Sequence, residues 1–205
     1  MISECDLPNL RAKVKERMSQ KRYAHTVGVE NMAVKLGQLM LPDKLVELRV
    51  AALLHDVTKE ITFEEQISLS KRFGASFSAD DLKAPQVLHS LTAQYAAIED
   101  FSGVVTPEII SAITKHTLGD VEMSVFDEII FISDFVEEGR KYDASVKTRD
   151  FLLTPIEDLT LDERKTRLHK ACVMSVDYTV GHLMKEGRFV HPQMIKTKNA
   201  LLALI

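Results

Sequence analysis

The sequence predicts an all-α protein, and three observations lead to this prediction. Apolar residues recur at intervals of three and four along most of the chain, which is the helical period. Glycine and proline are scarce, with 8 Gly and 6 Pro in 205 residues, compared with average contents of about 7% and 5%. Several apolar segments also begin with residues that cap helix N-termini. The one alternating stretch of any length is too weak to predict a strand.

Capping residues and breaks delimit the helices in the first half of the chain. Pro42 marks a break between two apolar helices. Thr62 and Glu65 match the capping box, in which a hydroxyl and a carboxylate each satisfy a free backbone N–H group. The helix that they open should end at Gly74, since glycine commonly follows the last turn of a helix.

The second half of the chain is delimited in the same way. Thr106 precedes a proline, the favoured order of N-cap and first helical residue. Thr160 and Glu163 form a second capping box, while Gly139 and Gly187 stand where helices should end. Nine helices are predicted, near residues 8–19, 22–40, 43–56, 62–73, 85–101, 106–117, 124–138, 160–186 and 192–204.

The chain is predicted to form a single helical domain over residues 1–205. Its length lies between one and two domains of about 100 to 200 residues, and no repeat, low-complexity tract or composition shift marks a linker. Area scaling allows about 70% of the unfolded surface to be buried, enough for one sizeable core. The helices of 160–205 should pack on this core, and the segment 141–158 stays without an assigned structure.

Composition excludes several classes of function. With 26 Lys+Arg and 30 Asp+Glu the formal net charge is −4, which argues against a nucleic-acid or anionic-membrane partner. Cys5 and Cys172 form no zinc-type or redox-type spacing, so a reducing cytoplasm is expected. The longest apolar runs are far shorter than the ~20 residues of a membrane span. A soluble cytoplasmic protein without membrane contact is therefore predicted.

Two acidic residues stand in segments that should be buried. Asp56 follows His55 directly after the apolar run of residues 50–54. Burying an unpaired carboxylate costs several kcal/mol unless a cation or several donors satisfy it. Asp134 lies inside the even more apolar segment 129–136. Two isolated acids in two buried helices indicate a shared partner.

Several histidines are also expected to point inward. His25 has apolar residues at +4, +7 and +11, and His116 follows apolar residues at −7, −4 and −3. His89 lies on a face of small residues, which leaves room for a site. The same criterion admits His169, which is not expected to be a ligand. Taken singly, each of these is more often a core histidine bonded to a backbone carbonyl.

The histidines and acids gain weight as a set. Imidazole and carboxylate ligands together form the mixed shell that divalent transition metals favour, whereas calcium sites use oxygen ligands. Two further histidines, His89 and His116, would allow two ions with Asp56 as the bridge. The four core candidates, on three predicted helices, are His25, His55, Asp56 and Asp134.

Five spaced segments place these residues in a recognisable order. They are RYAHT at 22–26, LLHDVTK at 53–59, VLHS at 87–90, KHTLG at 115–119 and ISDFVEEGR at 132–140. The set resembles the successive motifs of the HD-domain metal-dependent phosphohydrolases, and in particular of the bacterial YqeK subfamily. The resemblance spans a motif-bearing core of 22–140, and the C-terminal helices match loosely.

The resemblance implies a single HD-domain helical bundle and a phosphohydrolase activity. The subfamily is associated with symmetrical hydrolysis of diadenosine tetraphosphate to two ADP. Its cofactor is iron or a similar divalent transition metal, with manganese or another divalent ion as alternatives and one or two ions bound. The implied ligands are His25, His55, Asp56 and Asp134 for the first metal, and His89 and His116 for the second.

The chemistry expected of such a site is attack of a metal-bound hydroxide on phosphorus, because a divalent ion lowers the pKa of its water to about 7. Asp56 and Lys59 are the predicted catalytic residues. Lys59 and Arg140 are predicted to contact phosphate oxygens by charge, and Thr117 and Gly119 by letting a backbone N–H approach a phosphate. The alternative role of Lys59 and Arg140 is an ordinary ion pair with a neighbouring acid such as Glu60 or Glu137.

Other functions remain open at this point. One is a one-metal HD nucleotidase acting on nucleoside monophosphates, in which His89 and His116 serve as acid, base or substrate contacts. Another is a non-catalytic regulatory module that binds a nucleotide without hydrolysing it. A homodimer is also left open, since Met32, Met40 and Leu41 could pair two copies or belong to the core.

Overall fold

The structure, a computed structural model, describes residues 3–205. Within these residues there are eleven α-helices, four short 3-10 segments and no β-strand, which confirms the predicted all-α class. The helices are α1 (Leu7–Lys15), α2 (Gln20–Met40), α3 (Leu45–Leu54), α4 (Phe63–Arg72), α5 (Ala79–Lys83), α6 (Leu88–Asp100), α7 (Pro107–Lys115), α8 (Val125–Val136), α9 (Asp143–Leu153), α10 (Leu161–Lys185) and α11 (Pro192–Leu202).

All nine predicted helices are present, with ends within four residues of those expected. The prediction of about nine is low by two. Helix α5 is a short helix capped by Ser78, and α9 occupies the segment 141–158 that had no assigned structure. The N-cap residue of α9 is Tyr142, which makes no side-chain capping hydrogen bond. The start of this helix therefore lacks the capping signal that marks helices such as α4 and α10.

The capping boxes form as predicted. Thr62 Oγ1 accepts a hydrogen bond from the Glu65 N–H, and the Glu65 carboxylate accepts one from the Thr62 N–H at 2.7 Å. Gly74 and Gly187 follow their helices with φ of 68° and 65°, in the left-handed region that side chains disfavour. These two positions show why glycine ends α4 and α10.

Helix α3 lies at the centre of the molecule. It packs against α1, α2, α7 and α8, and its residues Leu48 and 50–54 are inaccessible to solvent. The apolar core is one cluster that runs from Leu7 to Leu201, with α10 packed on α8 and α9, and α11 on α10. Because α3 is buried along most of its length, the residues that follow it lie inside the protein.

The residues considered for a homodimer surface belong to the core instead. Met32 and Met40 are buried, and Leu41 packs against the same cluster. Elsewhere in the described residues, no helix combines the length and the apolar composition needed to cross a membrane.

A buried pair of ionisable groups connects α8 with α10. Glu128 is 0% exposed, and its Oε2 atom lies 2.7 Å from His169 Nδ1. Its Oε1 atom has no hydrogen-bond partner among the described residues. Burial raises the pKa of the Glu128 carboxyl above its ordinary value of 4.5. His169, whose neighbours at helical spacing predicted an inward-facing position, is thus the partner of the buried Glu128 carboxyl.

This pair predicts a pH-dependent contribution to stability. A carboxyl whose pKa is raised by folding contributes stability below its unfolded value of 4.5, and this contribution is lost as the pH rises through the folded value. The free energy of unfolding of the wild type, minus that of Glu128→Gln, should therefore decrease from pH 4.5 to 7. The change is about 1.4 kcal/mol per unit of pKa shift. Urea denaturation at several pH values measures it, and a constant difference would contradict the interpretation.

Candidate metal centre and active site

The six predicted metal ligands come together at one place. Five helices supply them, and each ligand lies within two turns of a helix end or just beyond it. His25 lies on α2, His89 in the first turn of α6 and Asp134 in the last turn of α8. His55 and Asp56 directly follow α3, and His116 directly follows α7.

Asp56 is at the centre of this cluster and is 3% exposed. Its Oδ1 atom lies 3.2 Å from His89 Nε2 and 3.6 Å from His116 Nε2. Its Oδ2 atom lies 3.4 Å from His55 Nε2 and 3.8 Å from His25 Nε2. Each carboxylate oxygen is thus near two imidazoles, which is the arrangement that a bridging ligand requires.

The donor atoms are close enough to share a cation. Two sets of three side chains each offer one ligand atom within 4.8 Å of the others. In the first set, His25 Nε2 lies 3.0 Å from Asp134 Oδ1. The two sets are His25, His55 and Asp134, and His55, Asp56 and His116. The cluster could therefore hold a metal ion.

The histidine rings are oriented for binding through Nε2. In three of them, the Nδ1–H group donates to the backbone carbonyl three residues earlier, which leaves the Nε2 lone pair directed into the cluster. Metal-binding histidines are commonly oriented in this way. The donor and acceptor pairs are His55 with Ala52 at 2.6 Å, His89 with Gln86 at 2.8 Å and His116 with Ile113 at 2.6 Å.

The fourth ring, His25, is oriented by a carboxylate. Its Nδ1 atom lies 3.2 Å from Glu137 Oε1, and Glu137 Oε2 accepts the Gly139 N–H at 2.5 Å. Glu137 is buried although it follows the end of α8. It fits because Gly28 on α2 has no side chain, since a Cβ atom there would overlap Glu137 Oε2. The ring of His25 is held in a carboxylate–histidine arrangement typical of metal sites.

Three buried polar atoms in the cluster lack a hydrogen-bond partner among residues 3–205, because the ligand atoms that lie 3.0 to 3.8 Å away also present lone pairs. They are His25 Nε2, His55 Nε2 and Asp56 Oδ1. Buried polar groups are usually satisfied, so three such atoms in one place need an explanation. A divalent cation would give all three a partner, and nitrogen and carboxylate oxygen are ligands that Fe²⁺, Mn²⁺ and Zn²⁺ accept. The donor set therefore fits a divalent transition metal.

The sequence of this site matches a known family. Residues 22–139 match the HD domain family. The chain belongs to this family. The matched segment begins three residues before His25 and ends five residues after Asp134, so it encloses all six clustered side chains of the HD site.

Relatives extend the similarity of this HD protein over most of its length. It is 28% identical to the symmetrical bis(5'-nucleosyl)-tetraphosphatase of Halalkalibacterium halodurans, over 92% of this chain and 93% of that protein. It is also 28% identical to the protein of the same name from Bacillus subtilis, over 94% and 95% of the two chains. A solved structure from Clostridium acetobutylicum, described as a predicted HD superfamily hydrolase involved in NAD metabolism, superposes with a TM-score of 0.84. That pair is 28% identical over 99% of this chain and 98% of the other.

The acids of the HD site favour their charged forms. Burial would raise the pKa of Asp56, but the imidazoles of His55, His116 and His89 lower it well below its usual range. For Asp134, burial is likewise outweighed by the His25 ring and the Arg140 guanidinium, and its pKa is also lowered. Both carboxylates are therefore ready to bind a cation.

Two of the histidines of the HD site favour their neutral forms. Burial lowers the pKa of His89 to about 4 and lowers that of His116 as well. For His55, burial is outweighed by the charge of Asp56, so that its pKa is raised. A metal would have to displace the proton that His55 holds at low pH.

Two guanidinium groups contact the acids of the HD site from the outside. Arg22 Nη1 donates to Asp56 Oδ2 at 2.7 Å, and Arg140 Nη2 donates to Asp134 Oδ1 at 2.7 Å. The Arg140 guanidinium comes no closer than 3.9 Å to the Glu137 carboxylate. Its main partner is therefore a metal-ligand candidate, not the neighbouring glutamate of the alternative interpretation.

Lys59 and Thr117 lie on the opposite side, beside His89. Lys59 Nζ is 3.0 Å from His89 Nε2, and Thr117 Oγ1 is 3.1 Å from the same atom. Burial lowers the pKa of Lys59. Its alternative partner Glu60 instead accepts from the Ser19 N–H at 2.6 Å. The Lys59 ammonium is thus directed into the cluster.

Gly119 has a structural role in place of the predicted phosphate contact. Its N–H already donates to the Lys115 carbonyl at 2.8 Å, so it is not free for a phosphate. Its φ is 66°, and a Cβ atom there would overlap the side chain of Thr197 on α11. Thr197 Oγ1 also donates to the Leu118 carbonyl at 2.9 Å. Helix α11 therefore supports the loop that carries His116.

Sequence reasoning gave no site role to Arg22, and it considered Glu137 only as an ion-pair partner. Both could have been found from spacing, because each lies three residues from a ligand candidate: Arg22 before His25 and Glu137 after Asp134. Residues three apart on a helix are neighbours on its surface. A charged residue one helical turn from a predicted ligand is therefore itself a candidate site residue.

Proposed function

We propose that this HD domain hydrolyses diadenosine tetraphosphate symmetrically to two ADP, with iron as its divalent metal. The observation that carries the proposal is the convergence of His25 Nε2, His55 Nε2 and Asp56 Oδ1, buried and without partners among residues 3–205, beside two guanidinium groups. The substrate is supported by the relatives from Halalkalibacterium halodurans and Bacillus subtilis, which are both named for this reaction.

The chain's own residues would bind and orient a highly charged substrate. The metal would be held by His25, His55, Asp56 and Asp134, with His89 and His116 for a second ion; when bound, it supplies a nucleophilic water at neutral pH and withdraws charge from phosphoryl oxygens. Arg22, Arg140 and Lys59 place positive charge on both sides of the cluster. Phosphoryl transfer depends mainly on such positioning and charge stabilisation.

One observation favours a one-metal nucleotidase as the second candidate. His89 Nε2 lies 3.0 Å from His116 Nε2 and is also contacted by Lys59 and Thr117. With its proton on Nδ1, His89 can accept from both of these donors at Nε2, whereas His25 Nε2 and His55 Nε2 have no hydrogen-bond partner among residues 3–205. His89 and His116 therefore stand apart from the first set of ligand candidates. In a one-metal site, they would contact the substrate of a monophosphate hydrolase.

A substrate panel with metal analysis separates the candidates. The full-length protein, purified anaerobically, is assayed with dinucleoside di-, tri- and tetraphosphates and with nucleoside monophosphates, in iron, in manganese and in chelator. We expect ADP as the sole nucleotide product from diadenosine tetraphosphate, loss of activity in chelator and about two ions per chain. Release of phosphate from monophosphates with one ion per chain would favour the nucleotidase. Binding of the tetraphosphate without any ADP release would favour a regulatory module.

A further inference from the structure

A cleft opens at the surface beside His25 and Arg140. Its volume is about 590 Å³, within the range of about 300 to 1,000 Å³ that small-ligand sites occupy. Its walls are the first turns of α2, from Lys21 to His25, and the loop from Glu137 to Tyr142 that joins α8 to α9. The cleft therefore borders the proposed metal centre at His25 and opens to solvent.

Positive charge dominates the side chains around this cleft. Four cations line it: Lys21, Arg22, Arg140 and Lys141. Of the two acids, Glu60 is bound by the backbone and hydroxyl of Ser19, and Glu137 is bound by His25 and Gly139.

The cations retain donors for a ligand. Lys21 and Lys141 form no ion pair with a carboxylate of residues 3–205, and Lys141 Nζ donates to the Glu138 carbonyl at 2.8 Å, which leaves two of its three N–H groups. The Nε atom of Arg22 is buried and lacks a hydrogen-bond partner among these residues. Arg22 binds Asp56 through Nη1, and Arg140 binds Asp134 through Nε and Nη2. Each guanidinium thus has N–H groups without a partner among these residues, and each contacts a carboxylate of the proposed metal centre. Guanidinium groups with free N–H donors are suited to phosphate oxygens.

An aromatic ring stands among these cations. Tyr142 is 62% exposed and lines the cleft two residues after Arg140. Its side chain makes no capping hydrogen bond at the start of α9. Bases stack on such rings with little sequence preference, because every base has a π-face. The cations of the cleft suit the phosphates of a nucleotide, and the aromatic ring suits its base.

We propose that this cleft binds one nucleoside diphosphate half of the substrate. Arg22 and Arg140 contact the phosphate next to the metal centre, Lys21 and Lys141 neutralise the phosphate farther out, and Tyr142 stacks on the base. This assignment rests on the proposed function, and it adds the residues that recognise the nucleotide. After symmetrical cleavage, the same cleft would hold one of the two ADP products.

The test is ADP binding to the full-length protein purified with its metal. Isothermal titration calorimetry compares ADP with inorganic pyrophosphate, which has no base. Tyr142→Ala should weaken ADP binding about 5- to 150-fold, the range for loss of one stacked base, and leave pyrophosphate binding unchanged. Tyr142→Phe should bind ADP as the wild type does. The double variant Lys21→Ala/Lys141→Ala should weaken both ligands and reduce the salt dependence of binding.

Phe151→Ala is the matched control, because Phe151 is an exposed aromatic residue of α9 that does not line the cleft. If the wild type hydrolyses diadenosine tetraphosphate while Tyr142→Ala changes neither the ADP affinity nor KM, only the subsite assignment is overturned. If the wild type binds ADP through Tyr142 but releases no ADP from the tetraphosphate, the subsite stands and the proposed function fails. If the wild type binds neither ADP nor pyrophosphate, the subsite is overturned.

Discussion

Replacing Asp56 with Asn is expected to remove the bound metal and to lower hydrolysis of diadenosine tetraphosphate by more than about 100-fold. Loss of a residue that only supports a metal ligand typically costs 10- to 100-fold, and Asp56 is in contact distance of all four imidazoles of the cluster. Asparagine has one oxygen and one NH₂ group. The NH₂ group would direct a donor at an Nε2 lone pair where a cation is needed. Elemental analysis and a steady-state assay measure both effects.

Glu30→Gln provides the matched control for this substitution. Glu30 is also a buried acid of the central helices, on α2, but it is bound by Arg11 and Arg49 and not by the histidines. Its substitution should lower the unfolding temperature, because two guanidinium groups lose a charged partner, and leave the metal content unchanged. Asp56→Asn protein with wild-type metal content would show that the cluster is not the metal site.

Replacing Glu137 with Gln is expected to weaken metal binding about 10- to 100-fold. The two oxygens of Glu137 accept from His25 Nδ1–H and from the Gly139 N–H. Glutamine has one acceptor oxygen, so one of these donors loses its partner. The change also removes the negative charge behind the His25 ring, which makes Nε2 a poorer ligand. Competition with a chromogenic chelator measures the affinity without relying on activity.

Glu138→Gln tests whether the effect is one of charge alone. Glu138 is the next residue and is exposed, so its substitution changes the net charge equally without touching His25. We expect its metal affinity to equal that of the wild type. If both variants lost the same metal affinity, the net charge of the loop would explain the effect, and the contact between Glu137 and His25 would not.

The helical class and most helix ends could be predicted from sequence because their causes are local. A capping box such as that of Thr62 and Glu65 involves four consecutive residues, and the structure shows both of its hydrogen bonds. Helix α9 had no such local cause, since Tyr142 contributes no capping hydrogen bond. Its existence depends on packing against α8 and α10, which the sequence does not display.

The candidate site could be predicted only in part for the same reason. An inward-facing position was visible for His25 and equally for His169, but only packing shows that one ring meets Asp56 and the other meets Glu128. The contact of Glu137 with His25 depends on α2 and the end of α8 approaching closely at Gly28. Such an approach is a property of two helices together and is absent from either sequence segment alone.

The hydrogen bond from Thr197 to the Leu118 carbonyl bears on where a functional fragment of this chain can end. The segment that identifies the family stops at residue 139, and a fragment trimmed to it would lack α11. The turn after α7 would then lose its outer support, and His116 its fixed approach to Asp56. Truncated variants and fusions should therefore retain the last helix, even though the family motifs end long before it.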